Sequence, residues 1–502
     1  MEETRGTRIA KNTLYLYGRM LLSMVITLYT SRVVLNALGA SDYGIYNVVT
    51  GFVVTFGFLN SAMHASVQRF LTVEMKAKNI DRLNQIFSMG VAIHLILALV
   101  IVLIAEPIGI YFVQEKLVIP TDRLNAATWI FHFSIITLFF GIMNVPYKAL
   151  IIAREDMGAF SAISLIDVFA KLVIALILVY CTNDRLILYG ISLMLVAVVI
   201  QLFYMFYCIS HYEEGRYRPF WNKGLFSEMS SFAGWNLIGV FAGIIYNQGV
   251  NIVLNIFGGP VINAARAIAF QVSGAANQLV SNFQLAANPP IMKAYTMKDK
   301  SVFRLLTSSC KLSYILLLCL VLPFIIECPF ILQVWLKDAP AYSIVFTRLA
   351  MIDILVCSLA GPIHTLIQAT GKIRKYQIIV SGILLMNLPF SYVLLKIGMD
   401  YECTFIVSIL LSMLALVVRY ILLRSFILYS ISELFFRFML PIMGLTLMVT
   451  IVVIFIHSLI DNNLYRLVCV CLFSWMTIGG GAWLLVLDHN EKILFLRILK
   501  RK

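Results

Sequence analysis

The chain has 502 residues, 61% of them hydrophobic and only 13% charged, with a mean hydropathy of +0.90 and a formal net charge of +14. Soluble globular domains carry roughly 25% charged residues, so these proportions exclude a globule solvated by water. Apolar runs of about 20 residues recur from end to end, each able to cross a hydrocarbon core ~30 Å thick. They lack the alternating pattern of a membrane barrel, which leaves an all-α integral membrane bundle.

In chain order, the opening "MEETRGTRIAKNTLYLYGRMLLS" has no short apolar core followed by a small-residue cleavage site, so an uncleaved first span is expected. Spans are predicted near 12–36, 44–66, 84–105, 124–147, 157–181, 186–208, 228–256, 260–289, 303–326, 341–369, 375–397, 402–424, 434–458 and 464–487. Placing both termini in the cytoplasm puts "RFLTVEMKAKNIDR", "GRYRPFWNK", "KAYTMKDKSVFR", "GKIRK" and the basic tail on the inner side. It leaves only Lys116, Arg123, Arg185, Lys337, Lys396 and Arg466 outside, the asymmetry that orients spans. The same asymmetry accounts for the positive charge without nucleic acid and suits anionic lipid. The nine cysteines show no metal-ligand spacing and read as small apolar residues.

A weak internal repeat runs through these spans. "VVLNALG" (33–39) closes the first and "IVLNIFG" (252–258) closes the seventh; "PYKALIIA" (146–153) closes the fourth and "PIHTLIQA" (362–369) the tenth. Two parallel six-helix lobes are therefore expected, related by a pseudo-two-fold along the membrane normal, with two extra C-terminal helices. The boundaries expected are 1–210 for the N-lobe, 211–225 for a cytoplasmic linker, 226–430 for the C-lobe, 431–490 for the extra helices and 491–502 for the tail.

Polar residues fall in stripes. On the eighth span Asn263, Arg266, Ser273, Asn277, Ser281, Gln284 and Asn288 share a sector of ~80°, broken by Phe270. On the seventh, Asn236, Gly243, Asn247, Asn251 and Asn255 share a face about 120° wide. On the first, Asn12, Arg19, Ser23, Thr27 and Thr30 lie together, while Arg32 points elsewhere and either meets the cavity or snorkels. Such stripes must face protein or water: they are hydrogen-bonding glue between helices or the wall of a wet cavity between the lobes. Asp167 and Lys171, one turn apart on the fifth span, suggest an ion pair. Lys311 is expected to snorkel, and Asp353, near the midplane, is a candidate for proton or sodium coupling, as are Asp167 and Lys171 on the fifth span.

Arginine forks suit phosphate oxygens, and amide stripes suit sugar hydroxyls, so a phosphorylated, glycosylated cargo is expected. The stretches "KNTLYLYGRMLLSMVITLYTSRVVLNALGASDYGIYNVV", "NVPYKALIIAREDMGAFSAISLIDVFAKL" and "QVWLKDAPAYS" resemble the Wzx-type polysaccharide flippases of the multidrug/oligosaccharidyl-lipid/polysaccharide superfamily. The resemblance implies a bacterial inner-membrane protein that moves polyprenyl-diphosphate-linked oligosaccharide to the outer leaflet for O-antigen, capsule or exopolysaccharide. It implies no catalytic residues and no metal. The substrate-facing candidates are Arg19, Arg32, Arg266, Asn247, Asn251, Asn263, Ser273, Asn277 and Gln284. No G-x-x-x-x-G-K-[ST] motif is present, so direct use of ATP is not expected and the membrane potential or an ion gradient stands in its place. The alternatives are a multidrug or cation antiporter of the same superfamily and an integral-membrane glycan polymerase or ligase.

Overall fold

The computed structural model describes residues 5–57, 63, 66–67, 70–71, 74, 80–154, 156–230, 243–297, 299, 301–370, 374–427, 429–461, 463–488 and 491–492. Among these residues every regular element is helical. Among the described residues, twelve helical stretches of 21 to 40 residues are long and apolar enough to span a bilayer. Two of them, Gly18–Thr55 and Ile245–Gln284, are each broken by a glycine in the left-handed region, Gly39 at φ 77° and Gly259 at φ 71°. Side chains rarely adopt that conformation, and glycine adopts it without steric cost. Counted limb by limb, the twelve stretches become the fourteen spans expected. Tyr180, Leu103 and Leu447 are 87%, 74% and 65% exposed, an apolar exterior that fits lipid and not water. The protein is a multi-pass membrane protein.

The chain divides into two compact units, residues 1–264 and 265–502. The first contains α1 (Arg5–Thr55), α2 (Ile80–Glu115), α3 (Leu124–Met143), α4 (Val145–Ala153), α5 (Met157–Tyr180), α6 (Arg185–His211) and the start of α7 (Val250–Thr296). Here α1 packs along α5, α2 along α3, and α3 along α6. Two apolar clusters form the interior, one around Val48, Ile130 and Phe131, the other around Phe87, Leu150 and Tyr204. Asp156 and Asp184 start α5 and α6 by accepting hydrogen bonds from the backbone N–H groups of Ala159 and of Leu186 and Ile187. Arg123 bridges Asp42 at 2.5 Å and Asp184 at 2.8 Å, tying α1 to the turn before α6.

The second unit continues α7 and adds α8 (Val302–Ile326), α9 (Cys328–Leu336), α10 (Ser343–Ser358), α11 (Gly361–Ala369), α12 (Arg374–Leu385), α13 (Asn387–Lys396), α14 (Cys403–Leu423), α15 (Leu440–Leu459) and α16 (Leu464–Gly481). α10 packs between α8 and α14, and α15 pairs with α16. Fully buried Glu327 accepts from His457 at 2.8 Å and from Arg466 at 2.9 Å, pinning the last two spans to α9. Lys311 does not snorkel. It is 2% exposed and donates to the Val486 carbonyl at 3.0 Å, with Asp488 at 3.4 Å. A helix end leaves carbonyls without intrahelical partners, and here they and a carboxylate take the ammonium that water would otherwise have solvated.

Both repeat motifs recur as structure. The first meets a left-handed glycine at or just past its end: Gly39 is its last residue in the first copy, and Gly259 lies one position beyond it in the second. The second is a nine-residue helix in each case, α4 and α11, opened by Pro146 and Pro362 at the second position. Proline there gives up an N–H that has no intrahelical acceptor.

Candidate functional site

The polar residues proposed from sequence separate into groups that satisfy one another and groups that do not. Asn251, Asn255 and Asn263 are 8%, 0% and 0% exposed. The Asn263 amide nitrogen donates to the Asn251 carbonyl at 2.7 Å and to its side-chain oxygen at 2.9 Å, and Asn255 donates to Asn263 at 2.9 Å. Asn255 also accepts from the Val118 backbone N–H at 2.9 Å. The three amides therefore clamp the two limbs of α7 across the break at Gly259. Asn247 is exposed and donates back to the Gly243 carbonyl at 3.0 Å. Asn236 and the side chain of Asn12 lie outside the described residues.

On the rest of α7, Gln284 donates to Ser313 at 3.2 Å and to the Ser358 carbonyl at 3.0 Å. It fills the space beside Gly361, where a Cβ would sit 2.2 Å from its oxygen. Ser273 is buried against the Phe270 carbonyl, whereas Asn277 is exposed. Arg266, 6% exposed, lays its guanidinium 4.2 Å above the Phe270 ring and 5.4 Å from Phe405. Cation–π contact of this kind holds a cation in an apolar setting without consuming its hydrogen-bond donors.

A different arrangement gathers in the first unit. Arg19 stands 4.9 Å over the ring of Phe160, and its buried Nε has no hydrogen-bond partner among the described residues. Lys148, on α4, lies 5.2 Å over the ring of Tyr204, which is 1% exposed. Lys148 has no ion pair or hydrogen bond among the described residues, and it feels the charges of both Asp167 and Lys171. Those two form the expected ion pair at 2.8 Å. Tyr204 feels Arg19 and Asp167 in turn and shares a 3.4 Å contact with Ser164. Phe160, Ser164, Asp167 and Lys171 recur at helical spacing on one face of α5. Among the described residues, three cations against one carboxylate leave an excess of two positive charges here. Arg32 is half-buried and likewise meets no carboxylate among the described residues.

In the second unit, Asp353 accepts from Ser408 at 3.2 Å, one turn from a Cys357–Ser412 contact at 3.7 Å. Two functional candidates escaped the sequence reading, Lys148 and Arg419. Lys148 lies just past the expected span 124–147, and Arg419 lies five residues before the end of the expected span 402–424. The third position of the repeated P-x-x-x-L-I-x-A motif, Lys148 in one copy and His364 in the other, was the available signal.

No protein-family model matches the chain. Over 160 residues it is 26% identical to a Salmonella typhi protein described as "Putative O-antigen transporter"; the match covers 30% of this chain and 35% of that relative's length. The lipid II flippase MurJ, in an inward closed conformation, superposes with a TM-score of 0.70 at 11% identity, covering 94% of this chain and 98% of that one. An inward-facing multidrug resistance MATE family transporter of the MOP superfamily gives 0.69 at 13%, covering 82% and 97%. The fold is that of the MATE transporters and MurJ. A MOP superfamily transporter from Pyrococcus furiosus, reported with a binding pocket of reverse polarity, shares it with a TM-score of 0.61 at 14% identity, covering 83% and 95%. The resemblance read from the sequence is thus met both by the O-antigen transporter match and by the MurJ-like fold.

Proposed function

We propose that the protein is a flippase for polyprenyl-diphosphate-linked oligosaccharide, moving glycan repeat units from the inner to the outer leaflet of a bacterial inner membrane. One observation carries this reading: Arg19 and Lys148 flank Tyr204, and the Asp167–Lys171 pair beside Lys148 brings the sole carboxylate among the described groups there. Membrane helices keep uncompensated cations where a function requires them. The excess of two positive charges matches a diphosphate. The headgroup would cross by alternating access with both termini in the cytoplasm, while the polyprenyl tail stays in lipid.

Moving about two negative charges outward across ~100 mV releases roughly 4–5 kcal/mol at ~2.3 per charge, so the membrane potential could drive the step. Asp353 is our candidate for added proton or sodium coupling; unchanged flipping by Asp353→Asn across pH and sodium would remove it. Reconstitution of the purified protein with a fluorescent polyprenyl-diphosphate glycan tests the main reading. Transfer that depends on Arg19 and Lys148 is expected, and efflux of cationic dyes in its place would favour a multidrug antiporter.

A further inference from the structure

Arg419 lies one turn before the end of α14, where an arginine could reach the bilayer surface. It is half-buried. Its Nε donates to the Tyr376 hydroxyl at 3.1 Å, and Tyr376, on α12, is only 4% exposed. His364, on α11, brings Nδ1 to 3.3 Å from the same hydroxyl. A hydroxyl that accepts from arginine has its own proton to give, and His364 Nδ1 is the acceptor in place. Nδ1 takes that proton in the tautomer that carries its own proton on Nε2.

With Nε engaged, the two terminal nitrogens of Arg419 make no hydrogen bond or ion pair among the described residues. Asp353 makes no ion pair with them among the described residues: its partner Ser408 sits ~16 Å back along α14 at 1.5 Å per residue. A guanidinium fixed at Nε presents a planar pair of donors, the geometry that grips two oxygens of one anion. The repeat adds a second reason. His364 is the third residue of "PIHTLIQA" as Lys148 is of "PYKALIIA", and each leans on a tyrosine beside an arginine, Arg419 or Arg19, that keeps donors without a partner among the described residues.

We propose that Arg419, held in place by Tyr376 and His364, forms a second oxyanion-binding subsite, for a phosphate or carboxylate group, within the second unit. The inference rests on the transport reading for the identity of its ligand, a further acidic group of the same cargo. An anionic phospholipid headgroup offers the same chemistry.

The test titrates inorganic pyrophosphate against the full chain in phosphatidylcholine nanodiscs. Two classes of site are expected. Arg419→Gln weakens one by about tenfold or more, the loss expected for a charge-assisted hydrogen-bonded pair, while Lys148→Gln weakens the other. The site that each variant retains reports that it has folded. Arg419→Lys, which keeps the charge without the fork, recovers only part of the affinity. Tyr376→Phe, a change in a positioning residue, lowers the preference for pyrophosphate over chloride while anion binding persists. In nanodiscs enriched in phosphatidylglycerol, selective occlusion of the Arg419-dependent site identifies a lipid headgroup as its ligand, and no occlusion identifies the cargo; both support the subsite. Equal pyrophosphate binding by wild type and Arg419→Gln overturns it. If Lys148→Gln still weakens binding in that case, the transport reading stands without the second subsite. If only Lys148→Gln is silent, the subsite stands and the transport reading loses its carrying observation.

Discussion

The asparagines across Gly259 and the cations around Tyr204 are both polar groups inside membrane helices, yet their surroundings are opposite. Asn251, Asn255 and Asn263 spend their donors on one another and on neighbouring backbone. Arg19 and Lys148 are held by aromatic rings and, among the described residues, have no hydrogen-bond acceptor. A buried amide left unpaired costs stability and returns nothing, so the structure closes it. A cation kept on an aromatic face is stabilised electrostatically yet can still bind an incoming anion. Polar groups within a span thus fall into two kinds, those that satisfy one another and those that keep donors to spare among the described residues, and the partner atoms tell them apart.

The largest expected effect sharpens this contrast. Lys148→Ala should lower glycan transfer by about tenfold or more, the scale of a lost charge-assisted contact, at unchanged protein level and thermal stability. A fall in stability with transfer intact would move Lys148 to the architectural class. Asn263→Leu should do the reverse. It strands capacity on Asn251 and Asn255 and should cost about 2–4 kcal/mol, read as a lower melting temperature in detergent. A variant as stable as wild type would break the contrast from the other side.

Gly361→Ala should be milder, at about 1–3 kcal/mol, because the new methyl must displace Gln284 and its bonds to Ser313 and Ser358. If the melting temperature is unchanged, Gln284 has room that the packing does not show. The smallest effect belongs to the Asp42–Arg123–Asp184 bridge, which is partly exposed. Burial alone would raise the Asp184 carboxyl, but the hydrogen bonds from Arg123 and from the backbone of Ile187 and Leu186 outweigh it and hold the group below its ordinary 3.8. A depressed carboxyl stabilises the fold above its unfolded value, and that contribution is lost as pH falls through the folded one. The stability difference between wild type and Asp184→Asn should therefore be present at neutral pH and shrink below about pH 4. A difference that widens in acid would contradict the bridge.

The sequence alone determined the all-helical membrane class, the fourteen spans counted limb by limb, the repeat motifs at Gly39 and Pro146 and again near Gly259 and at Pro362, and the Asp167–Lys171 pair. These are local properties, because bilayer thickness fixes the length of an apolar run and a one-turn spacing fixes the pair. Tertiary structure alone decided what each polar residue meets. Asn263 finds its partners on the other limb of a broken helix, Lys311 on the last span, and Lys148 and Arg419 on tyrosines from distant helices. A helical wheel gives the direction of a side chain about its own axis, but the group waiting there is supplied by another segment, and no spacing within one helix encodes it.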